Sequence, residues 1–287
     1  METGIIWPVC EFLWHKLRLA DSGLKETIMK RILVFTLMIV CAGFTIQSCK
    51  KDNKVSQGKM EVRMTDSPGD FVALNVEIVK IEAYLENSGW VTINETSKEI
   101  NILDLTNGAE VTIASATTVQ PGTYTKLKVT FSGENSLTFN SGSGQNTVNL
   151  SFGGGFSGNV EVPIHCTVTT GVTSSILLDF NVGSSIAQAG GGFTMNPVIM
   201  EIADPSTGVQ GNISGTEKAA VTLSNGSYNA STFTNVNGYF LIKGVPDGTY
   251  QMKIEAKAQG EILASQKSIQ NVTITKGQIK SMGSIQI

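Results

Sequence analysis

The 287 residues carry 21 Lys+Arg against 24 Asp+Glu, a formal net charge of -3, and only 16% of them are charged. So even a balance, with no basic cluster in the body of the chain, argues against a nucleic-acid partner, because phosphate binding draws on concentrated Lys and Arg. A hydrophobic content of 41% can form a real core, and 30 glycines beside abundant Ser, Thr and Asn favour sheet and turn over long helices.

The chain opens with a segment of no clear role, residues 1–28. Met29-Lys30-Arg31 then makes a positively charged start, Ile32 to Ile46 is an apolar run, and Gln47-Ser48 precede Cys49. That is the layout of a secretory signal. The run is shorter than the roughly 20 residues a membrane-spanning helix needs, and it lacks the polar face of a core helix. Met29 is therefore read as the true start, with 1–28 a non-native upstream extension and 29–48 the signal peptide. Cys49 at the cut resembles the lipobox of bacterial lipoproteins. Ser48 supplies the small residue before it, while Ile46 and Gln47 replace the usual Leu and small residue. The resemblance implies a diacylated, N-acylated Cys49 that holds the protein on a membrane. The Ser48-Cys49-Lys50-Lys51-Asp52 run is similar to lipoproteins of the Bacteroidota, which implies an outer-membrane location. Lys51-Asp52-Asn53 has one acid where surface-export signals have two, so cell surface and periplasmic face both stay open. Residues 49–58 read as a polar tether.

From Lys59 the pattern is of strands. Met60 to Met64 alternates, Asp66-Ser-Pro-Gly-Asp70 is a turn, and Phe71 to Leu85 is a long β run. Leu74, Val76 and Ile78 share one phase, which then slips to Val79, Ile81, Ala83 and Leu85. The slip predicts a bulge near Ile78-Val79, or a strand that changes sheet. Gly89 to Ile93 begins a partner strand. Further strands are expected at 126–131, 136–139, 147–152, 159–166, 175–180 and 193–202. One helical turn is expected near Thr106–Ser115 and no helix of normal length after Cys49. Asp204 to Gly208 reads as a linker before a second unit, 209–287, whose centre is Thr234 to Tyr250. Gly122-Thr-Tyr124 and Gly248-Thr-Tyr250 repeat one strand-start device, read as structural. The fold expected is all-β, with two antiparallel β-sandwiches in tandem at 59–203 and 209–287.

The Gly238, Phe240, Ile242, Val245-Pro246, Gly248 and Tyr250 pattern resembles the carboxypeptidase regulatory-like family, a transthyretin-like sandwich grouped with carbohydrate-binding-like folds. That resemblance implies a spacer or stabilising module with no catalytic residues. Met64-Thr-Asp66, Val76-x-Ile78, Trp90, Leu103-Asp-Leu105, Asn107-Gly108 and Pro121-Gly-Thr-Tyr124 resemble a family known only as a domain of unknown function (number 4382). It implies a secreted sandwich with no assigned activity.

The candidate chemistry is sparse. Asp66, Asp70 and Asp104 offer hard oxygen ligands for calcium, or simply start and cap turns; no other cofactor is suggested. His165-Cys166 are adjacent on a strand, so they point to opposite faces and cannot act as base and nucleophile. With Cys49 lipidated, Cys166 has no disulfide or thiolate partner in the mature chain. Gly153-Gly-Gly155 and Gly190-Gly-Gly192 lack the Lys-Ser/Thr and helix of a phosphate cradle. No residue is assigned a catalytic role. Trp90 and Tyr228 are the candidate ligand contacts, with Tyr124, Tyr239 and Tyr250 assigned to cores. The expected function is non-enzymatic, binding of a glycan or a protein partner at the outer membrane. The alternative is a structural or assembly component of a surface adhesin or fimbrial system. An aromatic in a groove favours a glycan; an exposed apolar patch or open edge strand favours a protein.

Overall fold

The computed structural model describes residues 56–287 apart from 68, 143, 217 and 257–264. The expected upstream extension, signal peptide, lipidation site Cys49 and tether as far as residue 55 lie outside the described residues. Lys54–Ile287 is one compact unit with two hydrophobic cores, one built from residues between Met60 and Ile199 and the other from residues between Val209 and Ile285.

The first sandwich runs β1 (Gly58–Ser67), β2 (Ala73–Leu85), β3 (Gly89–Asn94), β4 (Lys98–Asn101), β5 (Val111–Val119), β6 (Gly122–Phe131), β7 (Asn135–Ser141), β8 (Gly144–Phe152), β9 (Asn159–Val168), β10 (Thr173–Asn181), β11 (Ile186–Ala189), β12 (Gly192–Met195) and β13 (Ile199–Glu201). One sheet is ordered β13-β10-β1-β5 and faces a larger one built around β2. β2 is long and rich in β-branched residues, and it is flanked on both edges. β6 and β7 follow each other along one edge, and β3 and β4 along the other. Its register against β6 shifts between Ile78 and Lys80. This is the bulge that the phase slip predicts: Leu74, Val76 and Ile78 are buried on one side of it, Ile81, Ala83 and Leu85 on the other.

Most ladders are antiparallel, but β1 pairs with β10 in parallel from Lys59–Thr173 to Ser67–Asn181. The expected helical turn at 106–115 is instead strand β5 from Val111 onward, and a 3-10 turn lies earlier, at Ile102–Leu105. A four-residue helix, α1, spans Val182–Ser185. The expected strand 193–202 is split into β12 and β13 at Asn196-Pro197, because proline has no N–H to give a ladder.

The second sandwich packs β17 (Tyr239–Lys243), β14 (Gly208–Ser214) and β20 (Ile279–Gln286) against β16 (Asn229–Phe233), β15 (Ala219–Ser224), β18 (Gly248–Ala256) and β19 (Ser265–Ile274). The Gly-Thr-Tyr repeats form the same corner in both sandwiches. Gly122 and Gly248 enter with φ of 151° and 156°. The Tyr124 hydroxyl then donates to the Gln120 carbonyl, and that of Tyr250 to the Pro246 carbonyl, both at 2.9 Å. Both rings are buried. Tyr239 departs from its expected core position. It lies half-buried outside the core cluster, with its hydroxyl on Gln210 Oε1 at 3.0 Å.

The linker is pinned by hydrogen bonds. Asp204 Oδ1 accepts the Ser206 amide and Oδ2 the Thr207 hydroxyl, while the Thr207 carbonyl accepts from Gly244 N. Across the junction, Lys243 Nζ reaches Glu110 Oε1 at 2.7 Å and the Gly108 carbonyl at 3.3 Å, and Glu110 also pairs with Arg63. The approach is close enough that a Cβ on Gly108 would come within 2.6 Å of Leu241 Cδ2. The sandwiches are thus docked rather than strung on a loose chain.

Candidate functional site

A cleft of about 390 Å³ opens where the two sandwiches meet. That volume lies within the range of small-molecule sites, roughly 300–1,000 Å³. One wall is the ends of β1 and β10, with Thr65, Asp66, Asp179 and Asn181. The end of β13 and the segment that runs from it into the linker, Glu201 to Thr207, form a second. The far wall is β16, the end of β17, Pro246-Asp247 and the hairpin tip that carries Tyr228.

Tyr228 is held firmly. The Asn225 side chain accepts the amides of Ser227 and Tyr228, closing the β15–β16 turn. The Tyr228 ring meets Tyr250 edge-on, with centroids 5.8 Å apart, and its hydroxyl points at the Gly244 carbonyl at 3.5 Å. Burial pushes the phenol up to about 12, helped by the negative charge of Asp179 and by Tyr250. A half-buried aromatic side chain with adjacent hydroxyl, amide and carboxylate groups can both stack on and hydrogen-bond to a polar ring.

Asp66 is only 6% exposed, and neither carboxylate oxygen has a hydrogen-bond partner. Burial, with Asp179 close by, pushes its pKa up to about 9; the Val182 N–H opposes that rise without forming a full hydrogen bond. At neutral pH Asp66 is therefore a protonated acid at the floor of the junction. The Thr232 hydroxyl, on a 4% exposed residue, is likewise unpartnered. Glu201, by contrast, accepts from the His165 amide, and the His165 ring lies beside it at 3.1 Å. Hydrogen bonds from Ser206 and then Thr207 hold the Asp204 carboxyl below its ordinary value.

The two sequence candidates fall in different places. Tyr228 lines the cleft. Trp90 stands on the outward face of the large sheet, half-buried, while its neighbour Val91 packs on the core. Its ring meets Tyr84 at 5.3 Å, and Lys128 Nζ sits 3.9 Å from its centroid, so a cation already covers part of the ring. The calcium set does not assemble: Asp66 is buried, Asp70 and Asp104 are exposed, and no three metal-binding side chains gather among the described residues. On β9, His165 faces solvent and Cys166 is buried, with its thiol pushed up by burial. Asp179 and Thr232 escaped the sequence reading. Asp179 comes beside Asp66 only through the parallel β1–β10 ladder, which joins residues more than a hundred positions apart, and no local pattern announces such a pairing.

Residues 57–197 match the family profile "Domain of unknown function (DUF4382)", and residues 211–259 match "ER membrane protein complex subunit 7, beta-sandwich domain". The second description differs from the carboxypeptidase regulatory-like family that the Gly238–Tyr250 motif resembles. No curated protein gives a significant match. Among solved structures, the chain is similar to the Bacillus anthracis TIE protein at 14% identity and a TM-score of 0.23, covering 93% of this chain and 45% of that one. The chain thus spans less than half the length of that protein. It is also similar to the shaft pilin spaA from Lactobacillus rhamnosus GG at 11% identity and a TM-score of 0.23, covering 80% of this chain and 96% of the pilin. The chain is an all-β protein of tandem sandwiches.

Proposed function

We propose that this is a non-enzymatic envelope protein, anchored in the outer membrane through lipid on Cys49, that binds a glycan in the cleft between its sandwiches. The observation that carries the reading is Tyr228, a rigidly held aromatic in a concave, polar cleft of about 390 Å³. Sugars present apolar ring faces edged by hydroxyls, and a stacked aromatic beside Asp, Asn and Thr oxygens answers both. An anchored tether would enter the fold at Gly58, the opposite end of β1 from the Thr65 and Asp66 that line the cleft. The spacer role implied for the second sandwich is compatible with this, since its hairpin supplies one wall.

The test is a broad glycan array probed with the soluble chain from Gln57 to Ile287, which contains both cores. Reproducible binding to one glycan class supports the reading, and a blank array overturns it. A second reading, a structural or assembly unit of a surface adhesin or fimbrial system, draws on β19, a ten-residue strand at the edge of its sheet. Crosslinking on intact cells that trapped this strand against another chain would favour it.

A further inference from the structure

The outermost strand of the large sheet is open. β11 ends the strand order beyond β12, and among the described residues no strand pairs with its outer side. Ala187 and Gln188 on it are exposed. The row of N–H and C=O groups along such an edge is a template for another strand. The longest strands at sheet edges, β5, β9, β19 and β20, carry features that oppose such pairing. On β5 the Thr112 and Ile113 carbonyls already accept from the Lys98 and Asn94 side chains. β9 holds Pro163, and Glu201 takes the N–H of its His165. β19 has Lys267 and a bulge at Asn271, and β20 has Lys280 and a bulge at Gly283. β11 has no charge and no proline, and its register with β12 is unbroken.

The surroundings of β11 say which strand it suits. From Asn135 to Val160, and again from Phe180 to Met200, the chain has no Asp, Glu, Lys, Arg or His, although 16% of its residues are charged. Those two stretches build β7, β8, β12 and β11, which lie side by side in the large sheet. Phe193 on β12 meets Phe139 at 4.8 Å and Phe71 at 6.1 Å, all three half-buried at the rim of the core. Gln188 lies opposite Phe193 in the ladder, so the face that carries these rings runs out to the open edge. A two-fold contact sets a patch against its own copy, and any charge close to the axis then meets a like charge. An uncharged surface is free of that cost, and it lacks the groups that would select a charged partner.

We propose that β11 pairs antiparallel with β11 of a second copy of this chain, joining two large sheets edge to edge in a dimer. A strand of 4 residues makes a short ladder, so the association is weak, and the phenylalanine rim adds apolar area to it. The contact is independent of the cleft and of its ligand. The soluble chain from Gln57 to Ile287 is followed by sedimentation velocity over a concentration series reaching about 100 μM. Its mass should climb from monomer towards dimer. Gln188→Lys and Gln188→Glu, both at an exposed side chain, should each weaken association about tenfold, because the two-fold repeats the like-charge contact. An equimolar mixture of the two variants should recover it, since opposite charges then face each other. Gln266→Lys, on the exposed part of β19, should leave it unchanged. A monomer at every concentration overturns the proposal. So does a dimer that both Gln188 variants keep, one that the mixture fails to restore, or one that Gln266→Lys removes.

Discussion

Asp66 supplies the sharpest stability prediction. Its carboxyl is protonated up to about pH 9 in the folded chain, against 3.8 for the free side chain. Between those values the folded state holds a proton that the unfolded chain has released, so stability is full below about pH 4 and drains away as pH rises towards 9. The slope is about 1.4 kcal/mol per pH unit. From pH 5 to pH 8 that amounts to roughly 4 kcal/mol, a large part of the ~5–15 kcal/mol that holds a domain folded. Asp66→Asn removes the titration. Its amide has no better partners than the acid had, so it carries a cost of about 1–3 kcal/mol that does not vary with pH. The charged groups around the site, namely Asp179, Glu201, Asp204, Asp247, Lys243, Lys276 and the nearby His165, together with the Tyr228 phenol, are common to both proteins and cancel in the difference. Urea unfolding of the soluble chain and of Asp66→Asn at pH 5, 6, 7 and 8 should show the variant gaining on the parent by ~4 kcal/mol across the series. Curves that stay parallel across the series would show that the Asp66 carboxyl is not a buried, unpaired acid, and the reasoning would fail.

Three further outcomes are expected. Tyr124→Phe and Tyr250→Phe should each lower unfolding free energy by about 1 kcal/mol, since each loses one hydroxyl-to-carbonyl bond of 2.9 Å; no change in the urea midpoint would deny the corners a stabilising role. Glu110→Gln leaves Arg63 and Lys243 facing each other without their shared carboxylate, and should cost about 2 kcal/mol by the same measurement, whereas a cost under ~0.5 kcal/mol would mark the trio as surface pairs. Expression of the precursor with a labelled fatty acid should tag the wild type and not Cys49→Ala, and equal labelling would remove the anchor from the account.

The sequence was most legible where physics is local. The slip from Ile78 to Val79 in the apolar phase of one strand was enough to locate the bulge, because side-chain alternation cannot survive an extra residue, although Val79 itself is only half-buried there. The two Gly-Thr-Tyr stretches gave the same corner twice for the same reason, a turn glycine followed by an inward tyrosine. Tyr239 went astray because its strand presents two faces, and its neighbour Phe240 took the core. The cleft was least legible. Its walls come from β1, β10, the linker and β16, which meet only through ladders and docking between residues far apart in the chain. Asp66 in the sequence looks like an ordinary turn starter. Its burial depends on the β1–β10 pairing and on the Val182 segment beyond it. Trp90 illustrates the converse: a large aromatic in a strand suggests core, yet its parity with Thr92 puts it outside, against Tyr84 and Lys128.

The central claim is that the Tyr228 cleft, rather than the Trp90 face, receives the ligand. The most direct test is the glycan array run side by side with the soluble chain, Tyr228→Ala and Trp90→Ala. The account predicts binding to one glycan class that is lost in Tyr228→Ala and kept in Trp90→Ala. Binding that survives Tyr228→Ala and disappears in Trp90→Ala would contradict it and move the site to the open sheet.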